Sequence, residues 1–136
     1  MKVKLLPIFF VLCGIISVNA QVTDFITENI GEPKKIILHN NVLYFIDDVY
    51  NPDTWGYADY IKRIDLSQPT PQATVLYGPL PEHKSLWGLA VKENKLYTVV
   101  YNESTNKSTF TSFNLSDSSP APVEHLTLYG YIGTIA

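Results

Sequence analysis

The sequence predicts an all-β chain of short antiparallel strands, and three observations carry that prediction. A unit of about 50 residues occurs twice in the chain. No window after residue 20 shows the capped 3.6-residue apolar period of an amphipathic helix. Nine Pro, seven Gly and nine Tyr among 136 residues supply the turn formers and ring side chains that short strands use.

In chain order, the first element is a targeting segment. Lys2 and Lys4 form a basic start, Leu5 to Val18 is an apolar run, and Val18-Asn19-Ala20 places small residues where a signal peptidase reads. The expected cut follows Ala20, making residues 1–20 a signal peptide and the mature chain secreted or periplasmic. The run is shorter than the roughly 20 residues a spanning helix needs, so no membrane anchor is expected. Phe10-Val11-Leu12 before Cys13 are too large for the lipoprotein signal. Residues 21–136 then read as one partial domain, with units at about 33–78 and 86–130.

Val22–Thr27 reads as a lone strand, with Gly31-Glu32-Pro33 as its exit turn. Lys35-Ile36-Ile37-Leu38-His39-Asn40-Asn41-Val42-Leu43-Tyr44 matches Gly88-Leu89-Ala90-Val91-Lys92-Glu93-Asn94-Lys95-Leu96-Tyr97 at an offset of 53. Ile64-Asp65-Leu66-Ser67 matches Phe113-Asn114-Leu115-Ser116 at 49, and Leu76-Tyr77-Gly78 matches Leu128-Tyr129-Gly130 at 52. Each unit divides into strands a to d. Strand a (35–38 or 88–91) is an apolar run suited to burial on both faces, and its Asn-containing turn favours a tight hairpin. Strand b (42–47 or 95–101) is rich in Val, Tyr, Phe and Ile. Along strand c (60–66 or 109–115) of the first unit, Ile61, Arg63 and Asp65 face away from Lys62 and Ile64. Ser/Pro-rich stretches 67–72 and 116–122 follow, and strand d spans 73–77 or 123–129. Gly133-Thr134-Ile135-Ala136 echoes the opening of another strand a.

Charge and cysteine narrow the chemistry. Without Lys2 and Lys4 the mature chain has eight basic residues against 13 acidic ones, a net charge of −5. That balance argues against nucleic acid and anionic membrane as partners. Cys13 leaves with the signal, so thiol catalysis and disulfides are excluded from the remaining 116 residues.

A four-stranded repeat of about 50 residues is the pattern of a propeller blade. Pro33…Ile36-Ile37-Leu38…Leu43-Tyr44-Phe45-Ile46-Asp47…Arg63-Ile64-Asp65-Leu66 resembles the blades of the six-bladed β-propeller superfamily, with NHL-repeat and gluconolactonase-like proteins. Trp87-Gly88-Leu89-Ala90-Val91…Leu96-Tyr97 and Phe113-Asn114-Leu115 follow the same pattern, with Val100-Tyr101 where the Asp would stand. The resemblance implies about two four-stranded antiparallel blades and partial strands at both ends, the N-terminal part of a longer propeller. Further blades or self-association would then close the fold; a small sandwich is the third option.

In such a propeller the d–a and b–c loops gather at the channel mouth. The stretch from Asp47 to Asp59 reads as a long b–c loop, with about four residues more than its counterpart. Its acids and rings could chelate a cation or seat a sugar between Trp55 and Tyr57. Against this stands a solvated acidic loop, and an EF-type reading fails because Trp55 and Lys62 fall where oxygen ligands are required. The candidate binding residues are Asp47, Asp48, Trp55, Tyr57, His83, Trp87, Tyr101 and Glu103. Trp87 also suits packing between blades, and His39, His83 and His125 lack metal-ligand spacing. Asn102, Asn106 and Asn114 begin glycosylation sequons.

The functional expectation is a non-catalytic binding module for a protein, peptide or glycan, with no cofactor. The alternative is part of a metal-dependent lactonase-like hydrolase, whose divalent cation would be held largely by residues in other blades. No catalytic or metal ligand transfers residue by residue from that family.

Overall fold

The computed structural model describes residues 29–133. They form eight strands in chain order: β1 (Glu32–His39), β2 (Val42–Asn51), β3 (Gly56–Asp65), β4 (Ala73–Tyr77), β5 (Lys84–Lys92), β6 (Lys95–Asn102), β7 (Lys107–Asn114) and β8 (Val123–Tyr129). Each set of four makes one antiparallel sheet in sequential order, β1-β2-β3-β4 and β5-β6-β7-β8. No helix occurs among the described residues. The signal segment and the strand expected at Val22–Thr27 lie outside them, as do residues 134–136.

Local chemistry explains the turns. Asn40 and Asn41 take left-handed φ values of 49° and 61°, the conformation a two-residue hairpin needs. In the second sheet Glu93 is left-handed at the same point, with φ 55°. The chain leaving β3 closes on the first hairpin through Leu66 N–H to the Asn41 carbonyl at 2.8 Å, and Leu115 N–H repeats this on Asn94 at 2.9 Å. Asp65 Oδ1 accepts Ser67 N–H at 2.9 Å and Asn114 Oδ1 accepts Ser116 N–H at 3.2 Å. The Asp/Asn-x-Ser of the second repeat anchor is therefore an Asx turn that ends the strand.

Alternation decides what each strand buries. Tyr44 and Ile46 on β2 and Ile61 on β3 point toward the second sheet, where Leu86, Leu89, Leu96 and Phe113 meet them. Ile61, Leu96 and Phe113 are fully buried, and each contributes roughly 1.5–3 kcal/mol through apolar burial. The opposite face of the first sheet carries a smaller cluster of Phe45, Ile64 and Ala73, with Ile30 and Leu43 against it.

The structure corrects three expectations. Strand a of the first unit is not buried on both faces: Ile36 and Leu38 are 60% and 62% exposed. β1 is an edge strand, and the second sheet covers only its other side. The stretch Asp47–Asp59 is not a long loop, because β2 and β3 run paired to Asn51 and Gly56 around a four-residue turn, Pro52–Trp55. The equivalent second turn, Glu103–Asn106, has the same length. The four extra residues lengthen the hairpin strands, ten residues each against eight. Asp47, Asp48 and Asp59 are consequently strand residues, Asp47 on one face of the sheet and Asp48 and Asp59 on the other. Finally, Leu76-Tyr77-Gly78 and Leu128-Tyr129-Gly130 are not positional equivalents. Tyr77 lies opposite Ile61, whereas Leu126 lies opposite Phe110, the counterpart of Ile61.

Candidate functional site

A cleft of about 300 Å³ opens between the sheets near the ends of the long hairpins. The register of β2 on β3 places Asp48 directly opposite Asp59 in its wall, and the pairing of β1 brings Lys34 beside them. Tyr57 comes from the same hairpin. His83 and Trp87 come from the approach to β5 and from β5 itself, and Glu103 from the second hairpin turn. The backbone ties these segments together: Glu103 N–H donates to the His83 carbonyl at 2.9 Å, and Leu80 N–H donates to the Asp59 carbonyl at 3.0 Å. His83 holds its turn with a left-handed φ of 64°.

The acid pair organises the wall. Asp59 Oδ2 accepts the Leu86 N–H at 2.6 Å, a buried bond from one sheet to the next. Lys34 Nζ donates to Asp48 Oδ2. Burial pushes the Asp59 carboxyl up to about 7, and the adjoining Asp48 carboxylate adds to the shift against the opposing Leu86 N–H and Lys34 charge. Asp48 moves the other way. Burial raises it, but hydrogen bonds from Asp59 and Lys34 and the lysine charge hold it below the usual carboxylate range. Asp48 Oδ1 is buried and has no hydrogen-bond partner. A proton on Asp59 would supply the donor that two facing carboxylates lack.

Of the expected residues, Asp48, Tyr57, His83, Trp87 and Glu103 share this cleft. Asp47 does not. It lies on the opposite face of β2, fully buried, with its carboxylate 2.6 Å from Lys62 Nζ and accepting Gly31 N–H at 3.0 Å. Lys62 also donates to the Asn29 carbonyl. A side chain at Gly31 would meet the Asp48 carbonyl at 2.2 Å, so glycine is required where the entering chain crosses β2. Trp55 stands 86% exposed at the hairpin tip, and the ring partner of Tyr57 is Tyr50 at 5.4 Å. Trp87 is not packed between the sheets. On the Val99 side of β5, turned away from the first sheet, its ring meets the Tyr131 ring edge-on at 4.8 Å, and Tyr101 meets that Tyr131 ring at 5.4 Å.

The chain matches no protein-family model, no curated protein and no solved structure.

Among the described residues no three His, Asp or Glu side chains lie together as a metal-binding group. Asp47 is committed to Lys62 and Gly31, and Asp48 to Lys34 and Asp59. His39 and His125 are bonded elsewhere, to Asn40 at 3.0 Å and to Ser112 at 2.7 Å. Sequence reasoning missed Lys34, Asp59 and Tyr131 as partners of the candidate residues. For Asp59 a signal existed, since two acids on facing strands of one hairpin meet once its register is known. Tyr131 carried none, because it follows the last strand.

Proposed function

We propose that this chain is an exported binding module in which the two sheets are neighbouring blades of a β-propeller of the NHL-repeat or gluconolactonase-like kind. The sequential four-stranded order of each sheet and the face-to-face packing of one sheet on the next support the blade reading. The cleft between the sheets takes a neutral glycan segment. Its lining is the observation that carries this reading: the Tyr57 ring beside donors Lys34 and His83 and acceptors Asp48 and Glu103. Aromatic rings suit the apolar faces of sugar rings, and mixed donors and acceptors suit hydroxyls, which serve as both.

Fluorescence tests the proposal, because Trp55 and Trp87 are the two tryptophans of the chain. In Trp55→Phe, Trp87 is the sole indole reporter. Titration with a panel of neutral oligosaccharides is expected to give a saturable change in its emission. Tyr57→Ala in the same background should weaken binding about tenfold, the loss expected for about 1.4 kcal/mol. Silence across the panel, or binding that Tyr57→Ala and His83→Ala leave unchanged, refutes it. Saturation by peptides alone does so too.

A further inference from the structure

The four sheet edges are protected unequally. β1 carries Pro33, Lys34 and Lys35 on its edge, and β5 begins and ends in Lys84 and Lys92 and lies against the first sheet. β4 is only five residues long, with Pro71 before it and Pro79 after it. Short strands, lysines and prolines are the usual means by which an edge avoids pairing with another chain. β8 has none of them. Val123–Tyr129 runs seven residues without a lysine or proline, all are exposed, and among the described residues nothing pairs with its outer side. The chain leaving β8 does not cover that side. Gly130 N–H donates to the Asn106 carbonyl at 2.9 Å, Ser108 Oγ donates to the Gly130 carbonyl at 2.7 Å, and the Tyr131 ring turns back to Trp87 and Tyr101. The chain thus departs across β7 toward β5, away from the β8 edge.

We infer that two copies of this chain pair edge to edge through β8, antiparallel about a two-fold axis at Thr127, joining two four-stranded sheets into one continuous sheet. The residues select both the partner and the register. Residues that face each other across an antiparallel pair point to the same side of the sheet. With the axis at Thr127, Leu126 of each copy meets Leu128 of the other on the side that carries the stacked Tyr97–Phe110 rings. These leucines are 54% and 45% exposed in the single chain and cover one another in the pair. Thr127 meets its own counterpart on the opposite side, where its hydroxyl bonds that of Thr109 at 3.0 Å. The two Glu124 carboxylates then stand about 20 Å apart, beyond the reach of strong repulsion at physiological salt. An axis at Glu124 would oppose them directly, and one at Leu128 would set Leu126 against Gly130. The same edge serves both copies, so the contact is isologous and closes at two. This inference does not depend on the ligand of the cleft.

Sedimentation velocity on the purified chain, carried up to about millimolar concentration because a contact of this size lies at the low end of interface areas, should show a dimer. Thr127→Lys and Thr127→Glu, at an exposed position, each bring like charges face to face at the axis. Each variant alone should sediment as a monomer that circular dichroism shows to be folded, and an equimolar mixture of the two should restore one-to-one heterodimers. Leu128→Lys repeats the disruption independently. Cysteine cross-linking reads the register, in a Cys13→Ser background that removes the one cysteine of the chain. Facing Cα atoms of an antiparallel pair are about 4.5–5.5 Å apart, within disulfide reach. Thr127→Cys should therefore give a disulfide-linked dimer with oxidised glutathione, and Val123→Cys should not. A wild type that stays monomeric up to about millimolar concentration overturns the inference. A dimer that survives both Thr127→Lys and Leu128→Lys does likewise, as does one that cross-links through Val123→Cys as readily as through Thr127→Cys.

Discussion

The two sheets share one backbone plan and solve the same positions with different chemistry. Asp48 and Asp59 face each other across the first long hairpin, and Tyr101 and Ser108 occupy the equivalent pair in the second. Asp47 and Lys62 form a buried ion pair where Val100 and Thr111 stand. Lys35 adopts a left-handed φ of 46° at the bulge of β1, and Gly88 takes 69° at the matching bulge of β5. The meander therefore does not need the charges. In the first sheet they serve to hold other segments: Asp47 and Lys62 grip the entering residues Asn29 and Gly31, and Asp59 grips β5 through Leu86. Ser108 does the lighter version of that work, donating to the Gly130 carbonyl at 2.7 Å and accepting Ile132 N–H at 3.1 Å.

The largest effect that can break this comparison is loss of one ion-pair member. Asp47→Ala leaves Lys62 buried and uncompensated, which should cost about 3–5 kcal/mol in urea denaturation. Val100→Ala at the equivalent position should cost about 1–2 kcal/mol. The double change Asp47→Val with Lys62→Thr copies the second sheet and should recover most of the loss, because matched apolar replacements of buried pairs are often neutral. A double variant as unstable as Asp47→Ala would show that the charges, not the packing, hold the first sheet.

A smaller effect follows from the opposed shifts of the facing acids. Asp59 binds its proton more tightly folded than unfolded, with a folded value of about 7. Its contribution is complete below the ordinary aspartate range and disappears as pH rises through about 7. Asp48 works in the opposite sense, and its contribution is lost in acid as the pH falls through its lowered value. Thermal melts should therefore show a fall of about 5 °C between pH 5 and pH 8, on the order of 1 kcal/mol. Asp59→Asn, whose amide can donate to Asp48 at any pH, should flatten that slope. An unchanged slope in Asp59→Asn would place the titration elsewhere.

The smallest effect concerns the two bulges. A left-handed non-glycine residue costs roughly 1–2 kcal/mol, part of which glycine returns as chain entropy when unfolded. Lys35→Gly should stabilise the chain by about 0.5–1 kcal/mol, whereas Gly88→Ala should destabilise it by about 1 kcal/mol. Equilibrium denaturation of the two variants reads both signs in one experiment.

Much of the fold was legible in the residues because it rests on local rules. Asn40-Asn41 marked a tight hairpin turn because Asn tolerates the left-handed φ it needs, and alternation sorted Ile61 from Ile64 onto opposite faces. The site was less legible. Asp47 and Asp48 are adjacent in sequence and look alike, yet one anchors the entering chain and the other lines the cleft. The hairpin length hid this, since four added residues extend a ladder or a loop with equal ease in composition. The match of Leu76-Tyr77-Gly78 to Leu128-Tyr129-Gly130 failed for a related reason: three-residue identity fixes no register, and strand pairing does.

By itself the sequence determined the all-β class, the duplicated four-strand unit, the hairpin turns, and the alternation of side chains along strands such as β3. These follow from backbone sterics and a period of two, which act within a few residues. Only the tertiary structure decided that Asp48 and Asp59 face each other in the cleft wall, that Asp47 and Lys62 are buried together, and that Leu126 stays exposed while Leu96 and Phe113 are covered. Those properties depend on register, on burial and on which face another sheet covers. All three arise from contacts between residues far apart in the chain.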